Sequence, residues 1–303
     1  MRIASSQFQA TMDRSLQVNQ ERITVLTQQM ASGQRIMLPS DDPIGAVRLS
    51  RLTREETMIQ QYKDNIAAVK SRMFSDEQFL SSITIDMTEA RDLLVWASDG
   101  ANTPGDLNSM VTAITALRDS IFYTTNTKDQ EGRYIFSGTA ATTAPVTYDP
   151  TQAAGARYSF TGNADSQLVI VGNDITQAAN VSLMGIEALL NHMDAVADAA
   201  SQPGVSANTE PTHSIVRDAL DGIDTVMTLV SNKIAISGGS QKILGTLNDN
   251  LSNVSLSNNM ALHDIGALDF GFAATDLNGY KTSLEATYKA YANVGHLSLF
   301  DLL

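Results

Sequence analysis

The sequence predicts a mainly α-helical protein, built as a long coiled-coil-like helical bundle with a small β-rich domain inserted into it. Three observations support this prediction. Apolar residues recur every seven positions in several segments, and residues 46–99 contain neither glycine nor proline. The composition then changes between residues 133 and 174, where glycine, threonine and short β-branched or aromatic runs dominate.

The composition excludes several classes of protein. The 303 residues include 33 acidic and 20 basic side chains, giving a net charge of −13, whereas a nucleic-acid-binding protein needs clustered cations. There is no cysteine, which excludes a disulfide framework, a zinc ribbon and a thiol nucleophile. No stretch approaches the ~20 consecutive apolar residues of a membrane span, and residues 1–8 lack the apolar run of a secretory signal. We therefore expect a chain that stays in the cytoplasm, or leaves the cell by a route that needs no such signal.

Charge is distributed unevenly along the chain. Residues 1–74 hold 10 basic and 7 acidic side chains, a net charge of +3, and the remaining residues hold 10 and 26, a net charge of −16. The two parts either present solvated faces of different sign, or the positive end meets an acidic surface of a partner.

The first segment is predicted to be a helix with the seam of a coiled coil. The seam combines two heptad positions: Leu16, Ile23 and Met30 on one, and Met12, Asn19 and Leu26 on the other. Apolar side chains at such positions enter holes on a facing helix. Asn19 is the polar exception, and it either fixes the register of the pairing or faces solvent.

The helix is expected to stop at Ser32-Gly33, and a turn with helix-starting residues follows: Ser40, Asp41, Asp42 and Pro43. Asp42 can accept hydrogen bonds from the free amides of the next helix, and Pro43 suits its first position. Both aspartates oppose the positive end of the helix dipole. A paired-carboxylate site for a metal or for acid–base chemistry is the alternative interpretation.

The segment from residue 46 to residue 99 is predicted to be one helix about 80 Å long. Its heptad track has no gap: Leu52, Ile59, Ile66, Met73, Leu80, Met87 and Leu94. The paired heptad position is largely apolar as well, with an interruption at Asp76. A third helix is expected to follow from about Leu107 to residue 129.

The middle of the chain is predicted to contain three strands, at residues 134–136, 157–160 and 168–171. A short helix near residues 186–199 and a Pro/Gly/Ser/Asn linker at residues 201–211 complete this part.

Helical periodicity returns at His213. It continues along Ile223, Val230, Leu244 and Leu251, with Ser237 as a gap, and Gly238-Gly239 weakens the helix at this point.

The end of the chain is strongly apolar. The last helix carries Leu277, Leu284 and Tyr291 at seven-residue spacing with Tyr288 nearby, and five of the last seven residues are large and apolar. Such a tail either docks on its own domain or packs in an assembly with other subunits. The candidate assembly residues at the two ends are Met12, Leu16, Ile23, Leu26, Met30, Leu277, Leu284, Tyr288, Tyr291, Leu297, Leu299, Phe300 and Leu303.

Signatures of catalytic chemistry are absent from the sequence. The four histidines lack metal-ligand spacing, and the Gly238-Gly239 segment lacks the spacing of a phosphate-binding loop. We therefore predict no catalytic, cofactor-binding or metal-binding residues and no enzymatic activity, although a composite active site would escape such a search.

Three motifs resemble the flagellin superfamily. They are TQQMASGQRI at residues 27–36 with PSDDP at 39–43, GRYIFSGT at 132–139, and LSLFDLL at 297–303. PSDDP and the C-terminal motif are similar to the hook–filament junction branch of that superfamily rather than to the filament subunits themselves. The motifs bracket nearly the whole chain in the expected order.

The resemblance implies a flagellin-type rod in three parts. Terminal helices at 1–40 and 268–303 would line an inner tube, a long-helix bundle would occupy 41–132 and 212–267, and a variable outer domain would occupy 133–211. It also implies an extracellular structural protein exported by the flagellar type III apparatus with a chaperone. The implied neighbours are hook-associated protein 1, flagellin and other copies of the chain, in a ring of about eleven.

Other functions remain open on the sequence alone. Flagellin itself is the nearest rival, and hook-associated protein 1 is disfavoured because this chain is short. A cytoplasmic coiled-coil scaffold and an enzyme with a composite site are the alternatives from other classes.

Overall fold

The computed structural model describes residues 2–296, and its mainly α-helical composition with a few short strands confirms the predicted fold class. The helices are α1 (Arg2–Ser32), α2 (Pro43–Ala97), α3 (Pro104–Thr125), α4 (Ile186–Ala200), α5 (Thr212–Gly266) and α6 (Phe270–His296). The strands are β1 (Val146–Tyr148), β2 (Tyr158–Phe160), β3 (Leu168–Gly172) and β4 (Ile175–Ala178). None of the helices in this described range is long and apolar enough to cross a membrane.

The chain divides into two compact units. Unit 1 comprises residues 1–59 and 252–303, and unit 2 comprises residues 60–251. Helices α2 and α5 contribute residues to both units. The division into terminal, bundle and outer parts, which the resemblance implies, remains a prediction.

Local sequence explains where several helices begin and end. Helix α1 ends before Gly33, whose φ of +70° is the left-handed conformation that glycine adopts without strain. Helix α3 begins with a capping box, in which Thr103 accepts from the amide of Asp106 while the Asp106 carboxylate accepts from the amide of Thr103. Pro104 occupies the first turn of this helix, where its missing N–H is not needed.

The heptad tracks of both long helices face the interior of unit 2. From Ile66 to Ala97 every apolar heptad residue of α2 is buried, and Val216, Ile223, Val230 and Leu244 are buried on α5. The two helices run antiparallel, since Arg91 of α2 pairs with Asp224 of α5 while Glu77 accepts from Gln241. Helix α5 is continuous through Gly238 and Gly239.

The β-rich part of unit 2 consists of two antiparallel pairs. In the first pair Val146 lies opposite Phe160, and in the second Leu168 lies opposite Ala178 with an irregularity between Ile170 and Gly172. The predicted strands at 157–160 and 168–171 correspond to β2 and β3. The strand expected at 134–136 is wrong, because Tyr134 makes only an isolated bridge to Lys128 while Ile135 and Phe136 are buried in the helical core.

The segment at 201–211, predicted as a linker, joins α4 to α5 without helix or strand. Val205 and Ala207 are buried and belong to the same core cluster as residues of α2, α3 and α4. These two side chains anchor the segment, although its composition resembles that of a free linker.

Candidate assembly surface

Helices α1 and α6 of unit 1 pack against each other through the predicted seam. The apolar seam residues of α1 are all partly buried: Met12, Leu16, Ile23, Leu26 and Met30. On α6, Leu277 and Leu284 are partly buried as well, and Ala273 is fully buried. The sequence-predicted stripes of the two chain ends are therefore brought together within one molecule.

The polar seam residue Asn19 faces the partner helix rather than solvent. Its side chain is 9% exposed, and its Nδ2 donates to the Oγ of Ser283 on α6 at 3.3 Å. A single polar residue in an apolar seam favours one register of pairing over its alternatives.

The remaining faces of the terminal helices are not covered. Tyr288 and Tyr291 of α6, which were predicted at the assembly surface, are 50% and 40% exposed. Phe8, Val18 and Val25 are exposed large apolar residues of α1. The other predicted tail residues, Leu297, Leu299, Phe300 and Leu303, lie outside the described residues.

The turn between α1 and α2 is tied to the segment between α5 and α6. The amide of Arg35 donates to the Gly266 carbonyl at 2.8 Å, and the amide of Leu268 donates to the Gly33 carbonyl at 3.0 Å. The Arg35 guanidinium donates to the Ile265 carbonyl from both Nε and Nη2, at 3.1 and 2.9 Å. Sequence reasoning missed Arg35, because its main partner lies 230 residues away.

Asp42 caps α2 and links that helix to Arg35. Its Oδ1 accepts from the amide of Gly45 at 2.9 Å, and its Oδ2 pairs with Arg35 Nη2 at 3.2 Å. These contacts lower the pKa of Asp42, with the Gly45 amide as the largest cause and the Arg35 hydrogen bond next. Pro43 occupies the first position of α2, as the sequence predicts.

Asp41 is bound to backbone rather than to Asp42. Its Oδ2 accepts from the amides of Met37 and Leu38, at 3.2 and 2.8 Å, and Ser40 is exposed in the same turn. Within residues 2–296 no group of three or more His, Cys, Asp or Glu side chains could hold a metal ion. The two carboxylates therefore stabilise the turn. Asp42 caps α2 and pairs with Arg35, and Asp41 accepts hydrogen bonds from two backbone amides.

The apolar surface continues beyond this turn onto α2. Leu38, Ile44 and Val47 are 61%, 70% and 61% exposed. They fall outside the heptad seam, so periodicity gave no signal for them. Among the described residues of unit 1, the buried apolar residues are only Ile36, Ile59 and Ala273. Unit 1 thus presents much apolar surface and encloses little, which suits packing against other subunits.

The chain resembles known flagellar proteins along most of its length. Residues 3–141 match the model of the bacterial flagellin N-terminal helical region. Flagellar hook-associated protein 3 of Escherichia coli K12 is 27% identical over 91% of both chains. A solved structure described as a flagellar hook-associated protein from Vibrio parahaemolyticus is 29% identical. It covers 75% of this chain and 100% of its own, with a TM-score of 0.67.

Flagellins are more distant from this chain. The flagellin of Listeria innocua is 20% identical over 88% of this chain and 86% of its own. The chain is thus similar to flagellar hook-associated protein 3 along nearly its full length, and more similar to it than to the matched flagellins.

Proposed function

We propose that this chain is a structural subunit of the hook–filament junction of the bacterial flagellum. The observation that carries the proposal is the exposed apolar surface of unit 1. Helices α1 and α6 pack against each other along one seam and leave apolar side chains on their other faces exposed. Burial of this apolar surface against neighbouring subunits would stabilise the assembly by about 25 cal/mol per Å². The similarity to hook-associated protein 3 supports the junction as the place of assembly.

The proposed neighbours are hook-associated protein 1 on one side and flagellin on the other. Other copies of this chain would complete a closed ring of about eleven subunits, since a heterologous contact that repeats by rotation closes into a ring. We further propose export by the flagellar type III apparatus without a cleaved signal, with a chaperone bound to the C-terminal region. The support for these partners is the resemblance of the end motifs.

A deletion strain tests the junction role directly. Electron microscopy of such cells is expected to show hooks without filaments, while flagellin monomer accumulates in the medium. Normal filaments on the deletion strain would contradict the proposal.

The exposed face of α6 can be tested by complementing that strain with Tyr288→Asp combined with Tyr291→Asp. We expect the variant to be secreted and to leave the cells without filaments, because two charges would enter a buried contact. Tyr123→Asp is the matched control, since Tyr123 is an exposed tyrosine of unit 2 at 72% exposure. Equal filament numbers with both variants would remove this face of α6 from the assembly surface.

The apolar tail requires its own variant, Phe300→Asp combined with Leu303→Asp. We expect loss of filament attachment with an intact unit 2. Because a chaperone could bind the same tail, the secreted amount of the variant must be measured separately. Normal filaments on cells that carry this variant would show that the tail is not needed for filament attachment.

Flagellin is the second candidate, favoured by the match to the flagellin N-terminal region. The two functions differ in self-assembly. A filament subunit polymerises into long filaments when purified. Under the same conditions we expect the purified junction subunit to stay monomeric or to form only short assemblies.

A further inference from the structure

The core of unit 2 is built as two separate clusters along the α2–α5 pair. The larger cluster begins on α2 at Leu80 and includes Val230 on α5. The smaller cluster contains Ile66, Val69 and Met73 of α2 with Leu244 of α5. The break between the clusters lies between Met73 and Leu80 on α2, and between residues 234 and 244 on α5.

Three buried polar residues occupy that break, and we call them the polar layer: Asp76, Ser237 and Ser240. Their exposures are 1%, 4% and 9%. The hydrogen bond from Gln241 to Glu77, at 3.0 Å, places the layer residues of α2 and α5 at the same level of the bundle. Asp76 and Ser237 both fall on the heptad tracks, where their neighbours along the helix are apolar.

Two atoms of the polar layer lack a partner. The Oδ2 of Asp76 and the Oγ of Ser237 are buried without a hydrogen bond, whereas Ser240 accepts from Gln177 Nε2 at 3.1 Å. A buried carboxylate without donors is strongly disfavoured, but the neutral acid is tolerated much better.

Charged groups approach Asp76 from several elements, and none forms an ion pair with it within the described chain. Arg72 lies one turn away on α2 and opposes the effect of burial. Lys128, Asp129, Glu131 and Arg133, in the segment after α3, line the cavity that Asp76 also lines. Arg133 is bound to Asp129 and Glu131, and Lys128 lies over the Tyr134 ring at 4.6 Å. Lys233 of α5 and Asp165 line the pocket beside Ser237.

Burial is the dominant influence on this carboxyl. It raises the pKa of Asp76 to about 7, and the charge of Arg72 offsets only part of the effect. A cavity of about 760 Å³, lined in part by Arg72, Asp76 and Arg133, adjoins the group.

The helix opposite Asp76 is weak at the same level. Gly238 and Gly239 follow Ser237 directly, and a Cβ added to either glycine would meet nothing within 4 Å. Glycine in a helix interior is about 1 kcal/mol less favourable than alanine. Packing at this level therefore offers no compensation for the lost helix propensity.

We propose that the polar layer is a pH-dependent opening point of the bundle, held closed most firmly while Asp76 is protonated and opening locally more readily as Asp76 ionises. The proposal is independent of the flagellar role, because it concerns only the buried contacts of unit 2. When Asp76 ionises, a neutral acid that tolerates burial becomes a buried charge without hydrogen-bond donors. Local opening returns that charge to water.

The direction of the pH dependence follows from the proton balance. Below the ordinary pKa of an aspartate, both closed and open forms carry the proton, and the layer is at its most stable. Between that value and about 7 only the closed form keeps the proton, so opening becomes more favourable as the pH rises. Above about 7 both forms are ionised, and the pH dependence ends.

Hydrogen exchange of the full-length protein tests the proposal. We expect the opening constant of amides at 73–80 and 234–244, corrected for intrinsic exchange rates, to rise about tenfold per pH unit between pH 5 and 7 and then to level off. Amides of α3 at 104–125 are an internal reference for which no such rise is expected. A flat profile at the layer would overturn the proposal.

Variants of Asp76 identify the group responsible. Asp76→Asn removes the ionisation at nearly constant shape and is expected to abolish the rise, and Asp92→Asn, an exposed aspartate of the same helix, is expected to retain it. If Asp76→Asn fails to fold, Asp76→Leu decides the question. This second variant joins the two clusters, and we expect slow, pH-independent exchange at the layer. A rise that persists in the folded Asp76 variant would overturn the assignment.

Discussion

Asp194 shows how one buried charge fixes the β-rich part of unit 2 on the helices. Its side chain is 2% exposed, and it accepts from Arg118 Nη1 at 2.8 Å, from Arg157 Nη1 at 3.2 Å and from the Gly155 amide at 3.1 Å. Two helices, α3 and α4, and the segment leading into β2 therefore meet at this carboxylate. These three donors satisfy the hydrogen-bonding capacity of the buried side chain and pair its charge with two arginines.

The change Asp194→Asn is expected to destabilise the protein by about 3–5 kcal/mol, because it leaves two arginines beside a neutral amide. Urea unfolding measures the loss. Asp119→Asn is the matched control, since Asp119 binds the same Arg118 from a side chain that is 46% exposed, and we expect less than about 1 kcal/mol there. Equal losses in the two variants would show that burial does not set the strength of this network.

At the scale of residues, sequence reasoning found local partners and missed distant ones. The capping role of Asp42 was predictable, because its partner Gly45 lies three residues away. Asp194 and Arg118 are 76 residues apart, and no periodicity or motif relates them. Arg35 was missed for the same reason.

At the scale of elements, the α1–α6 pair depends on a seam that contains one hydrogen-bonded polar residue. Asn19→Leu is expected to increase the protection of α1 from proteolysis, since burying a leucine contributes about 1.5–3 kcal/mol and the lost neutral hydrogen bond only about 1 kcal/mol. Gln20→Leu, at the exposed neighbouring position, serves as the control and should give no such protection. Weaker protection in Asn19→Leu would mean that register, rather than apolar burial, limits the stability of this pair.

The glycines of the long helices are not equivalent, and substitution by alanine separates them. Gly238→Ala and Gly239→Ala are each expected to raise the free energy of unfolding by up to about 1 kcal/mol, because the added methyl groups enter open space. Gly45→Ala is expected to lower it, since its Cβ would lie 2.5 Å from Oδ2 of the capping Asp42 and 2.6 Å from Cδ1 of Ile36. Urea unfolding of the three variants measures the difference, and a gain at Gly45 would contradict the close contact.

Element prediction succeeded where a pattern was long and failed where it was short. The seven-residue repeat predicted α1, α2, α5 and α6, because many apolar side chains of each helix lie along one packed face. Strands β1 and β4 contain three and four residues, which is too few for an alternation to stand out. The run at 134–136 has strand-like residues, but Ile135 and Phe136 are buried by tertiary packing without a ladder partner.

At the scale of the whole molecule, burial is divided very unequally between the two units. Both core clusters consist of residues between 60 and 251, whereas unit 1 exposes much of its apolar surface. The sequence could not predict this boundary, because it falls inside the continuous helices α2 and α5, at residues 59/60 and 251/252. On α2 the heptad residues on either side of the boundary, Ile59 and Ile66, are both apolar.

This asymmetry predicts that the terminal helices contribute little to the folding of the remainder. A fragment of residues 43–266, which lacks α1 and α6, is expected to keep its helical circular dichroism and a cooperative thermal transition within a few degrees of the full chain, because both clusters are retained. Leu80→Ala in the fragment should lower the transition clearly, since emptying a fully buried leucine position destabilises by about 2–5 kcal/mol. A fragment without a cooperative transition would show that α1 and α6 stabilise unit 2, and their exposed faces could then no longer be assigned to assembly alone.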